Sequence, residues 1–222
     1  MTVGAASGGV RGRIGLVSIP LFQTYQALRT HPRLATAYPE FLVRTHMVIR
    51  ASVPLMHEVL RRVSEMPEDP LSEGLHAYVA KHLPEEEGHD EWVLDDLDRL
   101  GVGREQVLAR MPPSSVAAMV GAQYYWVRHH HPVAFLGYVA VLEGYPAPAE
   151  DIDEMVERSG LPRAAFSTWM KHAALDLDHR REFDELLDSL PLSEEDITCI
   201  CISGTTTARF ANATFGPLVD DP

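Results

Sequence analysis

Apolar residues recur every three or four positions along almost the whole chain, and this spacing is the strongest constraint on the fold. It places apolar side chains on one face of a helix, whereas a half-buried strand requires strict alternation. Alternating runs bounded by turn signals are hard to find in this chain. The spacing therefore predicts an all-α protein.

The helices are expected near residues 21–29, 39–63, 72–83, 84–100, 104–110, 114–130, 132–143, 149–158, 162–189 and 193–209. Pro39, Pro132 and Pro162 suit first helical positions, and Ser193 with Asp196 resembles a capping box. Short connections between helices favour antiparallel neighbours, so an up-and-down bundle is predicted.

The length of 222 residues, 45% of them hydrophobic, is enough for one large core and short for two. We therefore expect a single domain. Residues 1–14 are small and irregular and are interpreted as a flexible N-terminal arm. The bundle is assigned to residues 15–210, and residues 211–222 are assigned to a C-terminal tail.

The net charge of −13 argues against nucleic acid and anionic membranes as partners and favours small molecules or other proteins. The longest apolar run, residues 133–142, is about half the roughly 20 residues of a membrane span, and the N-terminal residues lack the basic segment followed by an apolar one that is typical of a signal peptide. Cys199 and Cys201 form no disulfide framework. These features predict a cytoplasmic protein, and they are compatible with either a monomer or a homodimer.

Histidines and acids interrupt two of the apolar rows. On the segment after Pro162, positions i, i+4 and i+7 lie within a narrow arc of the helix and carry His172, Asp176 and His179. The same spacing about 90 residues earlier carries His82, Glu86 and His89. A third apolar face, in the segment from residue 132, ends at Glu143.

Buried charges of this kind cost several kcal/mol each when unpaired, and carboxylates cannot neutralise one another. Dimetal sites in helical bundles use acid-x-x-His pairs and further carboxylates. Glu86 with His89 and Asp176 with His179 form two such pairs, and Glu143 and His172 complete the candidate set. Mixed oxygen and nitrogen ligands favour iron or manganese, so two Fe(II) ions are predicted.

Three other residues are weaker ligand candidates: His82, Glu85 and His46. Pro84 is expected to break the helix, which would turn His82 away and leave Glu85 or Glu86 as the working carboxylate. His46 lies in its own apolar row, where it is interpreted as a core or supporting residue. Asp96 and its acidic neighbours are interpreted as a solvated face.

The chain resembles the haem-oxygenase-like diiron oxidases and oxygenases, often described as iron-containing redox enzymes, in three stretches: KHLPEEEGHDEWVLDDLDRLG, HPVAFLGYVAVLEGYP and KHAALDLDHRREFDELL. The family pattern of Glu and His on one helix, Glu on a second, and His-x-x-x-Asp-x-x-His on a third maps onto the six candidate ligands. Some members place the first Glu where this chain has His82, and the further acid of the N-oxygenating members has no counterpart that we can assign.

The resemblance implies a haem-oxygenase-like bundle, dioxygen as co-substrate and a small amino-acid-like amine or acid, or a fatty acid, as substrate. N-oxygenation, desaturation and C-C cleavage in a biosynthetic pathway all occur in the family, with an external electron donor in some cases. Fold and metal do not select among these reactions. A mononuclear iron site, a cofactor-free or thiaminase-like enzyme of the same fold, and a non-enzyme that binds haem through His46 or another small molecule remain alternatives.

Overall fold

The computed structural model describes residues 6–144 and 147–220, and for residues 174–178 it describes the backbone alone. The described residues form helices, turns and bends and contain no strand, so the all-α prediction is confirmed. None of the helices within these ranges is both long enough and apolar enough to cross a membrane.

The α-helices, in chain order, are α1 Ala6–Val17, α2 Ile19–Arg29, α3 Leu34–Ile49, α4 Ser52–Ser64, α5 Ser72–Glu86, α6 His89–Arg99, α7 Arg104–Leu108, α8 Ser114–His129, α9 Phe135–Leu142, α10 Ala149–Ser159, α11 Ser167–Ser189 and α12 Glu194–Phe215. Short 3₁₀ turns cover Pro132–Ala134, Arg163–Phe166 and Gly216–Leu218. The capping box predicted at Ser193 and Asp196 is present at the start of α12.

The ends of the chain differ from the prediction. The arm predicted over residues 1–14 contains, from Ala6 onward, the helix α1, whose Val10 and Ile14 are almost fully buried. Ser7 also hydrogen-bonds Asp188 on α11. At the other end, α12 continues through the predicted tail to Phe215. At the N-terminus the reason is that small residues are poor evidence for disorder when a neighbouring helix buries them.

The proline predictions fail at two positions. Pro39 and Pro84 lie inside α3 and α5 instead of marking a helix boundary. The break predicted at Pro84 falls instead at Glu87 and Gly88, where Gly88 adopts the left-handed conformation with φ of 86°. Glycine enters that conformation without steric cost, so it ends the helix more effectively than the proline does.

The helix α12 packs against α1, α2, α8 and α9. Its contact with α9 is close because a Cβ at Gly137 of α9 would collide with the carbonyl oxygen of Ile200 and approach the backbone nitrogen of Gly204. Two backbones can approach this closely only where a side chain is missing. This contact fixes the position of α9, and α9 ends immediately before Glu143.

Candidate metal centre

The last turn of α5 carries three of the candidate ligands. His82 is 3% exposed, and its Nδ1 lies 3.0 Å from Oε2 of Glu85. Because α5 continues through Pro84, His82 is not turned away from the other candidates as the sequence suggested. Glu86, the last residue of α5, has a side chain that is 12% exposed.

His89 belongs to a different helix from Glu86, although the sequence suggested one continuous ligand row. It is the first residue of α6, after the turn at Gly88. The turn nevertheless keeps the two side chains together: His89 Nδ1 lies 3.2 Å from Glu86 Oε2, and His89 is 1% exposed. The ring of Trp92 covers His89 at a centroid distance of 4.0 Å.

Glu143 occupies the C-cap of α9. A carboxylate at this end of a helix faces the negative end of the helix dipole, which is unfavourable for the stability of the helix. Its side chain is only 27% exposed. The position of Glu143 is therefore better explained by a function for its carboxylate than by capping.

The start of α11 is held by Asp96, which lies on α6 and is completely buried. Its carboxylate accepts hydrogen bonds from the backbone N–H of Thr168 at 2.8 Å and from the hydroxyl of Ser167 at 2.6 Å. One turn later, Nδ1 of His172 lies 2.9 Å from the Thr168 carbonyl oxygen. The interpretation of Asp96 as a solvated residue was wrong, because its hydrogen bonds join two helices that are distant in sequence.

His179 lies between two groups of candidate ligands. Its Nε2 is 3.5 Å from Glu85 Oε2, and its Nδ1 is 3.7 Å from Glu143 Oε2. Ligand atoms within 4.8 Å of one another occur in two sets: His82, Glu85 and His179; and Glu86, Glu143 and His179. Two bonds of about 2.1 Å to one ion separate their ligand atoms by at most about 4.2 Å, so the His179 distances suit a shared ion.

The remaining predicted ligands are His172 and Asp176, both on α11. The ring of His172 lies edge-on to that of His89, at a centroid distance of 4.8 Å. Asp176 is on α11 between His172 and His179, but its side chain lies outside the described residues.

Several buried imidazole nitrogens in this region lie near carboxylates but make no well-aligned hydrogen bond among the described residues. They are Nε2 of His82, Nδ1 of His89 and Nδ1 of His179. A buried polar atom without a partner costs about 1 to 3 kcal/mol. A metal ion would satisfy lone pairs of this kind, and the surrounding carboxylates would balance its charge, so the residues fit a divalent cation.

The titration behaviour of the site also suits metal binding. Burial and the neighbouring His179 lower the pKa of His82, against the opposing effect of Glu85. Burial lowers the pKa of His172 as well, although its hydrogen bond to Thr168 opposes the shift. Burial alone would raise the pKa of Glu86, but His89 and the other imidazoles lower it. These pKa shifts favour neutral imidazoles and an ionised carboxylate, which are the forms that bind metal ions.

The sequence interpretation overlooked Glu182. It lies one turn after His179 on α11, with Oε2 3.4 Å from Nε2 of His82 and an ion pair to Lys81. The spacing His-x-x-Glu could have drawn attention to it. His46, in contrast, belongs to neither ligand set found among the described residues, although it is 1% exposed and both its ring nitrogens are without partners there.

Solved structures with the same fold support the description as a haem-oxygenase-like bundle. One is a domain of unknown function with a heme oxygenase-like fold from Shewanella denitrificans OS217, with a TM-score of 0.74, 18% identity and coverage of 96% of this chain and 88% of that one. Another is a TenA homolog from Pseudomonas syringae pv. tomato str. DC3000, with a TM-score of 0.74, 11% identity and coverage of 97% and 93%. At these identities the likeness concerns the fold alone.

A search of curated protein sequences finds no significant match. A family profile described as iron-containing redox enzyme matches residues 40–208. The chain therefore belongs to this family of iron-containing redox enzymes, and the family resemblance noted in the sequence is confirmed.

Proposed function

We propose that the protein is a non-haem iron oxidase or oxygenase that uses dioxygen to oxidise a small organic substrate. The observation that carries this proposal is the convergence of Glu86, Glu143 and His179, from α5, the end of α9 and α11, on one small volume. Family membership supports iron as the metal.

The proposed ligands are three carboxylates and three imidazoles: Glu86, His89, Glu143, His172, Asp176 and His179. Asp176 is included on helical spacing and on its match to the family pattern. The carboxylates contribute a charge of about −3 against +4 for two divalent ions, which is a near balance for a buried site. Glu86 contacts His89 and also belongs to the set with Glu143 and His179, so it occupies the central place in this ligand set.

The chemistry of His179 restricts how the two described sets are used. A neutral imidazole offers one lone pair, on a single nitrogen. His179 can therefore ligate beside Glu85 or beside Glu143, but not both at once without losing its last ring proton. We favour Glu143, because its side chain is more buried than that of Glu85, at 27% against 43% exposure. His82 and Glu85 then remain the alternative ligands.

Bound Fe(II) would supply the electrons that activate dioxygen, with an external electron donor completing turnover. The residues of the chain hold the ligands in place and restrict access of water. Trp92 covers His89, and the ring of Tyr78 lies 4.2 Å from that of His82. Burial and the nearby Glu143 raise the pKa of Tyr78, which keeps its hydroxyl protonated.

A thiaminase-like reaction is the second candidate because the TenA homolog shares the fold. Such a reaction would need a nucleophile, and the cysteines of the chain are Cys199 and Cys201. Burial, with Asp196 and Glu195, raises the pKa of Cys199 to about 11. Only about one Cys199 in ten thousand is then a thiolate at neutral pH, so this thiol is a poor nucleophile.

Anaerobic titration of metal-free protein with Fe(II), followed by admission of dioxygen, tests the proposal. We expect an endpoint of about two ions per chain and dioxygen consumption that depends on the iron. An endpoint near one would support the mononuclear alternative instead. Absence of Fe(II) binding would refute the proposal, as would a Soret band after haem reconstitution together with iron-independent activity.

A further inference from the structure

A cavity of about 240 Å³ opens beside the candidate metal centre, between α3, α4 and the turn that joins α5 to α6. Glu86 lines this cavity and also belongs to the ligand set with Glu143 and His179. The cavity therefore adjoins the proposed iron site at one of its ligands. Pockets for drug-sized ligands usually exceed about 300 Å³, so this volume suits a smaller molecule.

The wall of the cavity contains charges of both signs that are not paired with each other. Arg50, at the C-cap of α3, is half-buried, and it makes no ion pair or side-chain hydrogen bond with any residue in the described ranges. Glu87 and Asp90 line the same cavity and are likewise without an ion pair within those ranges. A half-buried guanidinium without a counterion is unusual in a chain with a net charge of −13.

The remaining wall is largely apolar, from Ile49, Val53 and Pro54. Near it lies His46, whose ring is buried and has no hydrogen-bond partner in the described part of the chain. His46 is close enough to Arg50 and Asp90 for both to influence its charge. The cavity thus combines one cation, a short apolar wall and three acidic residues, of which Glu86 is also a proposed iron ligand.

We propose that this cavity is the substrate site and that the substrate is a small α-amino acid with an apolar side chain. Its carboxylate would pair with Arg50, and its ammonium group would pair with Glu87 and Asp90. Separated charges of opposite sign in one cavity complement a zwitterion, whereas a simple carboxylic acid would pair with Arg50 alone. This inference rests on the proposed function, because it treats the cavity as the entrance to the iron site.

Isothermal titration calorimetry on the full chain, metal-free and loaded with Mn(II), tests the inference. The probes are L-alanine, L-valine, L-leucine, L-methionine and L-phenylalanine, each with its analogue lacking the amine and its analogue lacking the carboxylate. At least one amino acid should bind, and both of its analogues should bind at least about tenfold more weakly. Dodecanoate, which is too long for the cavity, should not compete.

The variants are Arg50→Gln and the pair Glu87→Gln with Asp90→Asn. Arg50→Gln should weaken binding of the amino acid at least about tenfold while leaving binding of the analogue without a carboxylate unchanged. Arg209→Gln is the matched control, because Arg209 is an exposed arginine on α12 that forms no ion pair among the described residues. It should bind the amino acid as the wild type does.

Three results would overturn the inference: no amino acid in the panel binds, the acid without an amine binds as tightly, or Arg50→Gln binds normally. These outcomes are separable from failure of the iron proposal, because the Fe(II) endpoint of the wild type and of Arg50→Gln is measured independently. Amino-acid binding without Fe(II) binding would support the cavity and refute the metal centre.

Discussion

Asp96 on α6 accepts a hydrogen bond from the backbone N–H of Thr168 at the start of α11, with a distance of 2.8 Å. This bond satisfies a backbone donor that the helix itself cannot satisfy, and the negative charge faces the positive end of the helix dipole. Because Thr168 contacts His172 one turn later, Asp96 also fixes the part of α11 that carries candidate ligands. Asp96 is thus a positioning residue.

Asp96→Ala should lower the free energy of unfolding by about 1 to 3 kcal/mol, as expected for the loss of a buried helix cap. Urea denaturation measures this change. The control is Asp98→Ala, which removes an exposed acid from the same helix and should change stability by less than about 0.5 kcal/mol. Equal losses in the two variants would show that the cap does not contribute.

Glu143 and His82 distinguish the two described ligand sets. If iron uses the set with Glu143, then Glu143→Gln should weaken Fe(II) binding at least about tenfold, whereas His82→Ala should change it by less than about threefold. Anaerobic Fe(II) titration gives both values. His76→Ala is the control, since His76 is an exposed histidine on the same helix as His82. The opposite pattern would assign the iron to His82 and Glu85.

The close contact between α9 and α12 depends on Gly137. In Gly137→Ala, the new Cβ would collide with the Ile200 carbonyl, and we expect a loss of about 1 to 3 kcal/mol or more in the free energy of unfolding. Gly121→Ala in α8 is the matched control, because its Cβ would meet no atom within 4 Å. That substitution should stabilise the protein by about 0.5 to 1 kcal/mol. Thermal unfolding of both variants gives the comparison, and a Gly137→Ala protein as stable as wild type would contradict it.

The buried imidazole of His46 should make the protein sensitive to acid. Burial and the positive charge of Arg50 lower its pKa below 6.5, with Arg104 in the same direction and Asp90 and Glu91 opposing. The unfolded chain therefore binds a proton near pH 6.5 that the folded chain takes up only at lower pH. Stability is fully present above that pH and falls as pH drops from about 6.5 toward the folded-state pKa, by at most about 1.4 kcal/mol per pH unit.

His46→Leu should remove this part of the pH dependence. Urea denaturation of the two proteins at about pH 7.5 and about pH 5.5 should show a smaller loss of stability in the variant. Replacement of the exposed His57 by leucine is the matched control for the change in side-chain chemistry. An identical pH dependence in wild type and His46→Leu would show that His46 does not titrate as described.

Local spacing was sufficient to predict the helical class, and the resemblance of three stretches of the chain indicated the family. Residues such as His172 and His179 share one face of α11 because helical geometry fixes their relative direction, whatever the rest of the fold does. Glu143 was recognisable for a similar reason, since a carboxylate at the end of an apolar run is conspicuous in the sequence alone.

The helix break at Gly88 and the buried hydrogen bonds of Asp96 were not predictable from local spacing. The conformation at Gly88 begins a new helix at His89. The spacing of Glu86 and His89 indicated that the two side chains lie close together, but not that they belong to different helices. Asp96 looked like one of several surface acids because its partners, Ser167 and Thr168, lie about 70 residues away. Local periodicity carries no information about contacts between residues so far apart in the sequence.

The sequence by itself therefore determined the all-α class, which depends on interactions within a few turns of helix. It also supplied the residue types available to bind a metal and the three stretches that resemble the family. Only the tertiary structure decided that His179 faces both Glu85 and Glu143, and that Arg50 shares a cavity with Glu87 and Asp90. The physical reason is that the packing of distant helices sets those distances, and packing depends on side chains throughout the core.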